Sequence, residues 1–172
     1  MTMEIAAFNL DQEGRIRLAT PKDSHAIAQL RMNFLEQIKW FSEEERQETF
    51  ASQKTMFEEG IRNGSMQVWL FEQNQTVAAT SALRKLSLKT GSGAQAELLA
   101  VYTRHEYRKK GIATRLVEAT IDEARRSGFK TLVLQPTEDS FELYRKFGFI
   151  GTARHMSLAM ENQGGPRNGT PA

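Results

Sequence analysis

Residues 96–128, AELLAVYTRHEYRKKGIATRLVEATIDEARRSG, place a strand, a basic loop and a helix in immediate succession. Ala96 to Tyr102 is apolar and β-prone. Beyond Gly111, Ile112, Leu116, Thr120 and Ala124 recur at helical spacing, with Val117 and Ile121 beside them. Gly128 sits at the C′ position of that helix, and a second strand, Lys130 to Gln135, follows. Strand, crossover helix and strand of this size form a βαβ unit. Strands 96–102 and 130–135 are therefore predicted to be parallel neighbours, and the chain is constrained to an α/β architecture.

The junction itself has a chemistry. Arg108, Lys109, Lys110, Gly111, Ile112 and Ala113 bring a glycine to the start of the helix. Glycine lets backbone N–H groups close on a ligand without a Cβ in the way. The first N–H groups of a helix lack intrahelical partners, and the helix dipole adds partial positive charge there. Phosphate or pyrophosphate suits such a site. Arg104, Arg108, Lys109 and Lys110 raise the local anion potential. A basic loop alone is equally an ordinary solvated surface; its place between a strand and a helix favours the anion site.

The rest of the chain supplies the setting. Residues 1–14 read as a lead-in, and Arg15-Ile16-Arg17-Leu18 alternates as a short strand. Thr20-Pro21-Lys22-Asp23 reads as a helix start, and Ile27, Leu30, Phe34, Leu35 and Ile38 continue it. Ser42 and Glu45 form a capping box for a second helix ending near Gly64. Met66 to Glu72 and Thr76 to Leu88 are predicted to pair as an antiparallel hairpin around Gln73-Asn74-Gln75, with Gly91-Ser92-Gly93 as a loop. After Pro136, Thr137 caps a helix through Phe141, Tyr144 and Phe147. Phe149 onward, with Met156, Leu158 and Met160, supplies closing strands. Residues 161–172 lack an apolar pattern and read as a disordered tail. The expected domain, residues 15–160, has a mixed central sheet flanked by helices, antiparallel in its N-terminal half and with one parallel βαβ step.

Composition narrows the partners. The net charge of +2 makes the basic character local, so no nucleic-acid partner is expected. No apolar run approaches membrane-spanning length, and Met1 to Gly14 lacks signal-peptide features; no membrane association and a cytoplasmic location are the expectation. Without cysteine, disulfides, thiolate metal sites and a Cys nucleophile are excluded. His25, His105 and His155 have no metal-ligand spacing, so no metal is expected.

Two spaced motifs in this setting carry a resemblance. V-Y-T-R-x-E-Y-R-x-x-G-I-A spans Val101 to Ala113, and L-Y-x-K-x-G-F spans Leu143 to Phe149. With the element order above, the chain resembles the GNAT superfamily of N-acetyltransferases over roughly residues 15–160. The resemblance implies acetyl-CoA as co-substrate. Main-chain amides of Arg108, Lys109, Lys110, Gly111, Ile112, Ala113 and Thr114 would wrap its pyrophosphate. Val101 to Thr103 would pair with the pantetheine arm, which enters a slot where strands 96–102 and 130–135 splay apart. The chain departs from relatives at Ala100, where Asn is frequent, and at Gln135-Pro136, where His-Ala is frequent. Both positions border the acceptor site.

Acetyl transfer to an amine needs a neutral nucleophile, a polarised thioester and a proton for the leaving thiolate. The absence of cysteine excludes an acyl-Cys relay and favours direct attack within a ternary complex. Tyr144 is the candidate general acid by its place in the second motif; its alternative is an amphipathic core aromatic. Glu97, a carboxylate on a central strand between Ala96 and Leu98, is the candidate base; its alternative is a salt-bridged residue. Trp40 and Phe41, between the first two helices, are candidate acceptor contacts, because that loop overhangs the substrate in the family. Both monomer and homodimer are compatible with these residues. Three other functions remain open: transfer from another acyl-CoA, a CoA-binding regulatory or interaction module without acyl transfer, and nucleotide binding. The last lacks G-x-G-x-x-G and G-x-x-x-x-G-K-[ST].

Overall fold

The computed structural model describes residues 13–86 and 94–160. The expected lead-in up to residue 12, the Gly91-Ser92-Gly93 loop and the expected tail lie outside the described residues. The elements run β1 (Arg15–Leu18), α1 (Ser24–Ile38), α2 (Glu43–Arg62), β2 (Met66–Gln73), β3 (Thr76–Leu86), β4 (Gln95–Thr103), α3 (Ile112–Arg126), β5 (Thr131–Leu134), α4 (Phe141–Lys146), β6 (Ile150–Thr152) and β7 (His155–Ala159). No described helix is long and apolar enough to cross a membrane.

Local chemistry explains most boundaries. The start expected at Thr20 is a single 3-10 turn, Pro21–Asp23, from which α1 continues; Thr20 N donates to Asp23 Oδ2 at 2.7 Å. At α2, Glu45 N donates to Ser42 Oγ at 3.2 Å and Ser42 N donates to Glu45 Oε2 at 2.9 Å, the reciprocal pair that the Ser-x-x-Glu spacing calls for. The β2–β3 turn is tighter than three residues. Gln73 pairs with Thr76, and Asn74 and Gln75 both take positive φ, as a primed two-residue hairpin turn requires.

The seven strands form one sheet in the order β1-β2-β3-β4-β5-β7-β6. All neighbours are antiparallel except β4 and β5. The mixed sheet with one parallel step is therefore the architecture the sequence predicts. One sheet face carries the larger core, in which Leu83, Leu98, Leu132, Phe149 and Met156 pack with Leu116 and Val117 of α3. Across the sheet, Val68, Leu70 and Ala82 pack with Ile27 of α1 and Phe57 of α2. Burying a side chain such as Leu116 stabilises by about 1.5–3 kcal/mol, so α3 is held chiefly by its apolar face.

One irregularity positions everything that follows. Between Thr80↔Tyr102 and Ala82↔Leu99, β4 has one residue more than β3. Ala100 takes up the excess at φ +53. Such a bulge bends its strand and increases the twist. On the other side of β4, parallel pairing with β5 ends at Glu97↔Val133, although β4 runs on to Thr103. β5 cannot follow for long, because Pro136 has no N–H to extend a ladder and disfavours a helical Gln135. The two strands part at Glu97, and among the described residues no strand pairs with the β5 side of β4 beyond it.

Candidate active site

The end of β4 that parts from β5 leads through the basic loop into the α3 N-terminus. From Thr103 the chain makes a 3-10 turn, His105–Tyr107, which the sequence pattern did not reveal. Lys109 and Gly111 then take φ of +60° and +74°. The second is free of strain only in glycine. A Cβ on Gly111 would meet no atom within 4 Å, so the space above it is open to a ligand. Gly111 is also the N-cap and supplies no side-chain cap. Arg115 N bonds back to Gly111 O at 3.2 Å, which leaves the N–H groups of Ile112, Ala113 and Thr114 ahead of the helical ladder. Ile112 is buried in the core and anchors this first turn.

The cations around the loop have separate tasks. Arg108 folds back: its Nε donates to Thr103 O at 3.0 Å and its guanidinium lies 5.6 Å from the Tyr102 ring centroid. It fastens the loop to the end of β4. Lys110 Nζ sits 5.4 Å from the Tyr107 ring centroid. None of Arg104, Arg108, Lys109 and Lys110 forms an ion pair among the described residues, so their charge acts on the site undiminished by contact pairing. Thr103 Oγ1 and Arg104 Nε are buried without a hydrogen-bond partner among the described residues. Val101 packs against the larger core.

Tyr102 has a role beyond its place in the Val101 to Thr103 stretch. Its hydroxyl accepts from Gln37 Nε2 at 3.2 Å, and its ring meets Phe34 edge-on with centroids 6.4 Å apart. It joins α1, β4 and, through Arg108, the basic loop. The visible signal was its place inside the V-Y-T strand.

Glu97, the last residue of β4 to pair with β5, is half-buried. Arg84 on β3 pairs with it in register: Arg84 Nε donates to Glu97 Oε2 at 3.0 Å, and Arg84 Nη2 closes on the same oxygen. The salt-bridged reading of Glu97 is therefore present in the structure, with both contacts on one carboxylate oxygen. Arg31 of α1 interacts electrostatically with both Glu97 and Arg84. Burial pulls the Arg31 guanidinium below its usual pKa, the Glu97 charge opposes that, and the Arg84 charge adds to it.

Tyr144 on α4 is only 5% exposed, and its ring packs edge-on to Phe149 at 5.8 Å. Burial raises the phenol from the usual 10.0 to about 12, while the nearby Ser140 hydroxyl acts weakly in the opposite sense. The side chain is thus a core aromatic that stays protonated well above neutral pH. Trp40 and Phe41 part company. Trp40 is 81% exposed in the loop between α1 and α2, whereas Phe41 is half-buried beneath Lys39, whose Nζ lies 4.7 Å from its ring centroid. A separate cavity of about 300 Å³, lined by Glu118, Ile121, Asp122, Arg125 and Phe147, runs along the second half of α3, away from its N-terminus.

No curated protein matches the chain. Solved structures resemble its fold at low identity. The predicted acetyltransferase with acetyl-CoA from Clostridium acetobutylicum superposes with a TM-score of 0.73 at 22% identity, covering 81% of this chain and 91% of that one. The PaiA N-acetyltransferase from Thermoplasma acidophilum in complex with coenzyme A gives 0.68 at 18%, covering 85% and 98%. A GNAT family acetyltransferase from Brucella melitensis in complex with acetyl-CoA gives 0.65 at 18%, covering 86% and 88%. The Acetyltransferase (GNAT) family model matches residues 30–149, a stretch that takes in the C-terminal part of α1, the Glu97–Arg84 pair, the basic loop and Tyr144. Matched over most of its length and folded in the same way, the chain belongs to the GNAT acetyltransferase family.

Proposed function

We propose that this protein transfers the acetyl group of acetyl-CoA to an amine by direct attack in a ternary complex. The observation that carries the proposal is the parting of β4 from β5 at Glu97, with the freed end of β4 leading through the basic loop to the uncapped N-terminus of α3. An extended thioester arm and an anionic pyrophosphate need these two features in this order. The N–H groups of Ile112, Ala113 and Thr114, with the open space over Gly111, receive the pyrophosphate. The β5-facing edge of β4 beyond Glu97, which includes Val101 and Thr103, offers main-chain groups to the arm as a neighbouring strand would. Acetyl-CoA supplies an activated acyl carbon and a thiolate leaving group.

The chain's residues then manage two protons. The amine nitrogen bonds to the thioester carbon, the C–S bond breaks, and the amine gives up a proton. Glu97, through the carboxylate oxygen that Arg84 does not contact or through a water held there, takes that proton. Tyr144, protonated at neutral pH, gives one to the departing sulfur. Trp40, exposed on the α1–α2 loop, and Phe41, against Lys39 in the same loop, would contact the acceptor. The Arg84–Glu97 pair also favours a second reading, a CoA-binding module in which Glu97 is purely structural. An acceptor screen with acetyl-CoA, reading free-thiol release, separates the two. Acceptor-dependent thiol release supports transfer; tight acetyl-CoA binding with no release from any amine supports the module.

A further inference from the structure

Where α1 packs on β4, the helix carries a charge that acetyl transfer leaves unused. Phe34 and Gln37 dock α1 on Tyr102, and Arg31 lies one turn earlier on the same helix face. Its guanidinium is half-buried, 5.0 Å from the Phe34 ring centroid. Glu97 lies on the same face of β4, but Arg84 already holds it. Arg31 forms no ion pair among the described residues. The Glu97 carboxylate, at the point where β4 leaves β5, is bonded to Arg84 and acts on Arg31 only through space. The Phe34 ring stacks on the guanidinium itself and offsets part of its desolvation, but the nearest carboxylate, Glu97, is bonded to Arg84, so the half-buried charge of Arg31 lacks a contact ion pair of its own.

We propose that Arg31 receives the carboxylate of the acceptor, so that the acceptor is an amine bearing a carboxylate, of the free amino-acid class. The inference rests on the acetyl-transfer reading. A planar guanidinium fork matches a carboxylate. With the carboxylate on Arg31, the same molecule's amine faces Glu97, and an ammonium–carboxylate pair meets its complement. A peptide N-terminus presents a neutral amide where that carboxylate would be, and loses this contact.

The test measures binding and turnover separately. Protein saturated with CoA is titrated by calorimetry with free L-amino acids and with the matching amino-acid amides. Arg31→Gln and Arg31→Lys variants are titrated in parallel. At least one free amino acid is expected to bind on the order of ten- to a hundredfold tighter than its amide. Arg31→Gln should abolish that preference and Arg31→Lys should keep part of it, both with unchanged CoA affinity. Equal binding of acid and amide, no binding of any free amino acid, or a preference that survives Arg31→Gln overturns the proposal. Should Arg31→Gln fail to fold, the wild-type comparison and Arg31→Lys still decide. Thiol release from acetyl-CoA in matched samples keeps the two readings apart. Arg31-dependent amino-acid binding without release sinks only acetyl transfer; equal release with acids and amides sinks only the role of Arg31.

Discussion

A buried tyrosine can be packing and proton donor at once, because its ring and its hydroxyl face different needs. The Tyr144 ring is fixed by Phe149, and burial holds the phenol at about 12, so the donor form persists at every pH where the protein would work. Tyr144→Phe should retain CoA affinity and the melting temperature while lowering turnover on the order of 10². Steady-state and single-turnover rates check this; unchanged chemistry in single turnover would leave Tyr144 as a core residue only. Glu97 is argued differently, since Arg84 already uses one of its oxygens. An amine acceptor is mostly protonated near neutral pH, so a base matters most there. Glu97→Gln should depress kcat/KM most at low pH, with partial recovery as pH rises and solvent supplies neutral amine. A uniform loss at all pH values, with lower thermal stability, would assign Glu97 to the ion pair alone.

At the scale of elements, α3 is both the anion site and a brace. Gly111→Glu places a carboxylate in the open space above the helix start. Acetyl-CoA binding by calorimetry should be lost, while unfolding stays cooperative and weakens by about 1–2 kcal/mol from the strained φ. Normal binding by this variant would remove the pyrophosphate from α3. The brace is polar. Thr120 Oγ1 donates to Leu116 O at 2.9 Å, so its 2.7 Å contact with Ser81 must be donated by Ser81. Thr120→Val strands the buried Ser81 hydroxyl and should cost about 1–3 kcal/mol in denaturant unfolding. Ser81→Ala combined with Thr120→Val should recover much of that; strictly additive losses would show that the pair is uncoupled. The strand–loop–helix junction was legible because its determinants are local: alternation, a glycine and 3.6-residue spacing. The Ala100 bulge was not, since alanine gives no sign of a positive φ, and Asn at that position would have done so more readily. Nor was the Arg84–Glu97 pair, which depends on the register of β3 against β4 across thirteen residues of sequence. Arg31 escaped notice for a similar reason: its neighbours come from two strands that are distant in the chain.

At the scale of the whole molecule, the sheet has a weak margin at β1. This edge strand has four residues and, among the described residues, pairs only with β2. Arg17 ties it to the rest. Its Nη2 meets Asp23 Oδ1 at 2.8 Å and its Nη1 meets Asp23 Oδ2 at 3.0 Å, a bidentate contact with the turn before α1. Its Nε meets Glu72 Oε2 on β2 at 2.9 Å. Hydrogen bonds from Arg17 hold Asp23 below its usual 3.8 and Glu72 below its usual 4.5, against a smaller opposing effect of burial. Because both folded-state values are depressed, the stabilisation is complete above the usual values and disappears as pH falls through the folded ones. The three side chains are partly exposed, so solvent screening limits the total to about 1–2 kcal/mol. The wild-type protein and Arg17→Met should therefore differ by about that amount in urea unfolding at neutral pH. The gap should narrow progressively below about pH 4.5, as Asp23 and Glu72 protonate in the unfolded chain and then in the folded one. A gap that stays constant down to the acid limit of folding would mean that Arg17 holds β1 by packing its stem rather than by charge.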